Sequence, residues 1–253
     1  MEPENPGTWG ISAKATVADP GSMVHGFHSS RIKAVLFDFD DTLIDVSASR
    51  HERARLAHTR LREHGVNVSW SAFWHSINAL DESGFYRRGM EPVIRDLGLD
   101  TTALGDECVG YWVFRGAEDL LMLSPGCRDM LDVLRVRYRL GIVTNGPAES
   151  QRHKFEHTGL QKYFEFFLPS GEVGVEKPAP EIFRIALERL DLVPDEAVFV
   201  GDHLDLDIIG AQRAGMKAIW YSGAAKRPDD PFIIPDATIH RLEDLPGVLE
   251  TLV

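Results

Sequence analysis

Short apolar runs that stop abruptly at polar residues punctuate this chain. Residues 32–37 run into Asp38, residues 140–143 into Thr144-Asn145-Gly146, and residues 197–200 into Gly201-Asp202. Runs this short, bounded by charge or glycine, predict strands buried on both faces of a parallel sheet. Further strands are predicted near residues 164–168 and 217–221. Between them the apolar spacing changes to a helical one, predicting helices over 127–136, 149–157, 181–189 and 206–214. Strand and helix alternating at these lengths imply right-handed crossovers on one parallel sheet.

One stretch breaks the alternation. From about 46 to 123 the strand-type runs vanish and helical patterns replace them, over 50–64, 71–80, 91–97 and 106–123. The strand pattern resumes after Ser124-Pro125-Gly126. Before residue 31 the chain is rich in Gly, Pro, Ser and Ala without periodicity, which predicts a mobile extension over 1–30. Met23 is a second candidate for the translation start, beside Met1.

Three of the predicted strands end in groups that can do chemistry. Open α/β sheets place their ligands at the carboxyl ends of the strands. Asp38-Phe39-Asp40-Asp41-Thr42 delivers two carboxylates two residues apart, an arrangement suited to phosphoryl transfer through an aspartyl-phosphate. Acidic pairs after strands also serve as turn or helix caps. Thr144 and Asn145 are donors that can face a phosphate without adding negative charge. Lys177 sits in the proline-stiffened segment Gly174-Val175-Glu176-Lys177-Pro178-Ala179-Pro180, just before a helix, and Asp205 and Asp207 follow Asp202 closely.

In order and spacing these clusters resemble the haloacid dehalogenase superfamily, in its branch with a helical cap inserted after the first strand. Asp38 to Thr42 match its DxDxT motif, Thr144 its second motif, Lys177 its third, and Gly201-Asp202 with Asp207 its GDxxxxD motif. The resemblance covers about residues 31–253 and implies a Rossmann-like parallel sheet core (31–45 and 124–253) with an all-helical cap (46–123). It also implies Asp38 as nucleophile, Asp40 as general acid and base, and a Mg²⁺ ion held by the Asp38 carboxylate, the Asp40 carbonyl and Asp202, with Asp207 nearby. Lys177, Thr144 and Asn145 would cradle the phosphate. Asp41 is expected to be a turn residue, and Asp205 a supporting one.

Within that superfamily the presence of Asp40 speaks against the dehalogenase branch, which has no general acid at the second position. Asp41 stands where mutases usually carry Gly. The stretch from Thr144 through Phe183 is similar to the nucleotidase and acylneuraminate-phosphate phosphatase relatives. The expectation is therefore a phosphomonoester hydrolase, with sugar phosphates, nucleoside monophosphates and phosphoglycolate as candidate substrates. A phosphotransferase or phosphomutase is the alternative within the superfamily. A receiver-type phospho-acceptor would place its phosphorylated aspartate on a later strand, and a scaffold derived from the fold would be expected to lack one of Asp38, Asp40, Lys177 or Asp202. In the helical insert, Trp70, Phe73, Trp74 and His75 fit an apolar core at helical spacing, while Arg87 and Arg88, beside Gly89, could reach an anionic substrate group.

Composition narrows the partners. With 253 residues, 43% of them hydrophobic, the chain can bury a sizeable core. A net charge of −12 argues against a nucleic-acid backbone or an anionic membrane surface as main partner. A small-molecule phosphate ester is the partner that the family resemblance implies. No run approaches membrane-span length, and the first residues lack the order of a secretory signal. Cys108 and Cys127 lack metal or redox spacing, consistent with reduced thiols. A cytoplasmic protein, monomer or homodimer, is expected.

Overall fold

The computed structural model describes residues 32–78, 120–223 and 233–252. The expected extension over 1–30 and the expected helix over 91–97 lie outside the described residues, as does most of the one over 106–123.

Six strands form one parallel sheet: β1 (Ala34–Phe37), β4 (Arg139–Thr144), β5 (Phe166–Pro169), β6 (Ala197–Gly201), β7 (Lys217–Tyr221) and β8 (Ala237–Ile239). Their order across the sheet is β5-β4-β1-β6-β7-β8. All four residues of β1 are buried, which explains a strand with no polar alternation. Side chains still alternate between faces. Val35, Phe37, Ile142, Val198 and Val200 pack on one side, where they meet Met130, Leu131 and Leu134. Ala34, Leu36, Val143, Ala197 and Phe199 pack on the other, against Ile182, Phe183, Ala186 and Leu187. The sheet thus carries a core on each face, as expected of the α/β class.

The chain steps from β1 to β4 and β5 on one side, then crosses back to β6 on the other. Such a reversal opens a crevice at the carboxyl ends of the strands flanking it. The helices α3 (Cys127–Leu134), α4 (Ala148–Thr158) and α5 (Pro180–Leu190) lie where the sequence predicts them, within a few residues.

Two further strands, β2 (Ile44–Asp45) and β3 (Met122–Leu123), form an antiparallel pair. The amide of Ser124 extends it by donating to Leu43 O (3.0 Å), so the chain leaves and rejoins the core side by side. This corrects the helix expected over 106–123 at its end: Met122–Leu123 is strand, because Ile44–Asp45 offers it a partner no local pattern reveals. Between these strands the described residues form α1 (Val46–Glu63) and α2 (Trp70–Asn78). Helix α1 begins earlier than the apolar spacing suggests because Asp45 Oδ1 accepts from the Ala48 amide (2.8 Å), an N-cap. Phe73 is buried between the helices, with Trp70 and His58 beside it, whereas Trp74 stacks on Trp70 and His75 is exposed.

A second correction falls on the helix expected over 206–214. Residues Leu204–Ile209 adopt a wide π-type turn before the short helix Gly210–Arg213. Its register is set by His203, whose carbonyl accepts from both Asp207 N (2.8 Å) and Ile208 N (3.4 Å). Asp207 folds back to accept the His203 amide on Oδ2 (3.0 Å). Wide turns of this kind often mark functional sites.

Candidate active site

The first aspartate is held at the sheet edge. The Asp38 amide donates to Val200 O (2.9 Å), prolonging β1 by one residue against β6. Strand periodicity then sends Phe39 the opposite way, into the core, where its ring meets Phe155 and Phe167 edge-on. The turn closes as Leu43 N and Ile44 N both donate to Phe39 O (3.0 and 3.1 Å). Asp41 takes the left-handed conformation there (φ 56°), which an aspartate tolerates better than most residues. Phe39 therefore anchors the loop while Asp38 and Asp40 remain on its site side.

Lys177 reaches this edge from the loop before α5. Its Nζ lies 2.6 Å from Asp38 Oδ1 and 2.6 Å from Asp207 Oδ1, and all three side chains are buried. Asn145 fixes the lysine's backbone, accepting Lys177 N on Oδ1 (2.8 Å) and donating Nδ2 to Lys177 O (3.0 Å). One amide side chain thus ties the end of β4 to the lysine loop. Thr144 is buried at the same edge, and Gly146 N donates to Ser170 Oγ (3.0 Å).

Asp202 closes the other side. Thr42 Oγ1 donates to Asp202 Oδ1 (3.2 Å), and Trp220 Nε1 donates to its carbonyl (2.8 Å). Gly201 before it is required by packing: a Cβ there would collide with the Asp207 carboxylate. Asp205 is exposed.

Asp38, Asp202 and Asp207 can each bring one carboxylate oxygen within 4.8 Å of the others. Burial pushes the Asp38 carboxyl up to about 7; Lys177 opposes this, and Asp207 adds to it. Burial likewise pushes Asp202 up to about 9, helped by Asp207, Asp38 and Asp41 against Lys177. Burial works to discharge Lys177 too, but Asp207 and Asp38 outweigh it and hold its ammonium above the ordinary range. One lysine is too little positive charge for this many carboxylates. A hard divalent cation suits the all-oxygen donor set and would supply the balance.

The geometry brings together Asp38, Asp40, Thr144, Asn145, Lys177, Asp202 and Asp207, all singled out in the sequence. Arg87 and Arg88 lie outside the described residues. Two side chains at this edge were not anticipated. Gln151 Nε2 donates to Asp40 Oδ2 (2.8 Å), and Lys154 Nζ forms an ion pair with Asp40 Oδ1. Their signal was legible in principle. The inward stripe of α4 reads Gln151, Lys154, Phe155, Thr158, polar where a core-facing helix should be apolar.

With fold and site in view, the comparisons with known proteins agree. A family model described as haloacid dehalogenase-like hydrolase matches residues 32–215, and the chain belongs to that family. Among curated relatives, glyceraldehyde 3-phosphate phosphatase of Methanopyrus kandleri is 36% identical over 233 residues, covering 87% of this chain and 98% of the relative. N-acylneuraminate-9-phosphatase of Mus musculus is 30% identical over 243 residues, covering 88% and 96%. Among solved structures, a HAD phosphatase from Thermococcus onnurineus has a TM-score of 0.67 at 30% identity, covering 86% of this chain and 98% of that one. A 2-haloacid dehalogenase from Pseudomonas syringae pv. Tomato has 0.68 at 34% identity, covering 88% and 100%. The protein is a hydrolase of the phosphatase type. No helix among the described residues is long and apolar enough to cross a membrane.

Proposed function

We propose that this protein is a Mg²⁺-dependent phosphomonoesterase that works through an aspartyl-phosphate on Asp38. The observation that carries the reading is the pairing of a buried carboxylate bonded to Lys177 with a second carboxylate, Asp40, two residues along the same loop. Attack by Asp38 Oδ on phosphorus breaks the ester P–O bond, and Asp40 gives its proton to the departing oxygen. Asp40 then takes a proton from water, whose oxygen attacks phosphorus, breaking the P–O bond to Asp38 and releasing inorganic phosphate. Both aspartates return to their starting states.

Charge is the main obstacle. A carboxylate and a phosphate oxygen repel by about 4 kcal/mol per charge pair at roughly 4 Å and an effective dielectric near 20. Lys177 offsets part of this as a compact point charge, and the Thr144 hydroxyl donates to the phosphate. Mg²⁺ held by the Asp38 carboxylate, the Asp40 carbonyl and Asp202 would supply the remaining positive charge between nucleophile and substrate. Asp207, with one oxygen on Lys177 and the other on the His203 amide, orients the lysine. Asn145 supports the site through the Lys177 backbone.

Asp40 separates this reading from dehalogenation, which needs no proton donor for a halide. The relatives' names point to small phosphorylated metabolites of sugar type as substrates. The insert that leaves the core at β2 and rejoins it at β3, with α1 and α2 among its described residues, is proposed as the cap that closes over them, and Arg87 and Arg88 are proposed to bind a second anionic group. If both alanine variants kept wild-type kcat/KM, that role for the arginines would be abandoned.

The test is phosphate release from glyceraldehyde 3-phosphate, N-acylneuraminate 9-phosphate, nucleoside monophosphates and other esters, with Mg²⁺ and with chelator. Metal-dependent release that disappears in Asp38→Asn supports the proposal. No release from any ester, or turnover undiminished in Asp38→Asn, overturns it.

A further inference from the structure

Asp40 is held from outside its own loop. Lys154 pairs with Oδ1 and Gln151 donates to Oδ2, so each carboxylate oxygen has one partner from helix α4. Both partners are buried: Gln151 is 0% exposed and Lys154 6%. The same Gln151 Nε2 also lies 2.5 Å from Asn145 O and 3.2 Å from Thr144 Oγ1. Three acceptors around one nitrogen dictate the amide's orientation, since the flipped form would set its oxygen against the Asp40 carboxylate. That choice leaves Gln151 Oε1 buried with no hydrogen-bond partner among the described residues. A buried amide that leaves its own oxygen unpaired while its two N–H groups face three acceptors calls for an explanation beyond packing. Lys154 Nζ also stands 5.8 Å from the centre of the Phe39 ring, the anchor of the Asp38–Asp40 loop.

We infer that Gln151 and Lys154 are positioning residues for Asp40, fixing its carboxyl group against the leaving-group oxygen and the attacking water. The inference rests on the phosphatase reading and adds to it. A carboxylate has about four lone-pair sites, more than the two that these partners from α4 take up. Fixing both oxygens removes rotation of the side chain, and a misplaced catalytic group loses much of its effect. Through Thr144, Gln151 also joins the proton donor to the proposed phosphate site.

The test separates proton donation from everything else the helix does. The alkoxide of an alkyl phosphate leaves badly and needs the acid, whereas the p-nitrophenolate of p-nitrophenyl phosphate leaves well without it; kcat/KM reports the step in which Asp38 is phosphorylated. In Lys154→Met, kcat/KM on the best alkyl ester of the panel should fall by about tenfold or more, within the roughly 10²–10⁴-fold that acid-base help supplies. On p-nitrophenyl phosphate the fall should be clearly smaller, and Lys154→Arg should recover much of the alkyl activity. Gln151→Met should show the same selectivity, and it carries the test if Lys154→Met does not fold. Equal losses on both esters, or none on either, would overturn the positioning role while leaving the phosphatase reading intact. A wild-type protein that releases no phosphate from any ester would overturn both.

Discussion

The Lys177 ammonium stands 2.6 Å from Asp38 Oδ1 and 2.6 Å from Asp207 Oδ1, bridging one carboxylate at the end of β1 and one in the π-type turn Leu204–Ile209. Removing one partner of a buried pair leaves the other charge uncompensated, which costs about 3–5 kcal/mol. Lys177→Met should therefore lose turnover and unfold at lower urea in chelator, by about that free energy. Lys177→Arg should not rescue turnover, because a planar fork does not replace a point charge between two oxygens. Unfolding curves beside phosphate-release assays check both.

Asp38→Asn should abolish turnover yet keep the fold, since an amide of the same shape cannot form the phosphoenzyme. Asp40→Asn should keep the nucleophile and slow turnover by roughly 10²–10⁴-fold. Mass spectrometry of acid-quenched protein should find phosphate on wild-type Asp38 and none in Asp38→Asn. Phosphorylation persisting in Asp38→Asn would place the nucleophile elsewhere.

Stability in chelator should depend on pH in a defined direction. Asp38 and Asp202 are raised from 3.8 to about 7 and about 9, so the folded state binds these protons more tightly than the unfolded chain. Their contribution is complete below about pH 4 and is lost as pH rises through 7 to 9. Added Mg²⁺ favours the ionised carboxylates, so its stabilising effect should grow over the same window. Thermal melts at several pH values with and without Mg²⁺ test this; a metal effect that shrank as pH rose would contradict it.

Gly201→Ala would drive a methyl group into the Asp207 carboxylate. Overpacking at such a point costs about 1–3 kcal/mol. Because Asp207 holds Lys177, the displacement should also weaken Mg²⁺ binding and turnover, measurable by metal titration of the variant. Wild-type Mg²⁺ affinity in Gly201→Ala would show that Asp207 can move without consequence.

Much of the site was legible because its residues end apolar strands, and an apolar run that stops at a charge can be recognised without knowing its neighbours. Asp38, Thr144 and Asp202 belong to that kind. Lys177 was legible from its proline-flanked loop. The pair Met122–Leu123 was not, since two residues pair as strand only where a partner such as Ile44–Asp45 is brought alongside. Nor was the π-type turn at Leu204–Ile209, whose width depends on Asp207 turning back to His203 and Lys177.

The parallel α/β core, the family and the identity of the acidic residues can be read along the chain, because burial on two faces and motif spacing are local properties. Which side chains meet across the site depends on the folded arrangement. Lys177 meets Asp38 across 139 positions, and Gln151 meets Asp40 across 111. Contacts that long depend on how the crossovers stack the strands β4, β1 and β6, and no spacing along the chain encodes them.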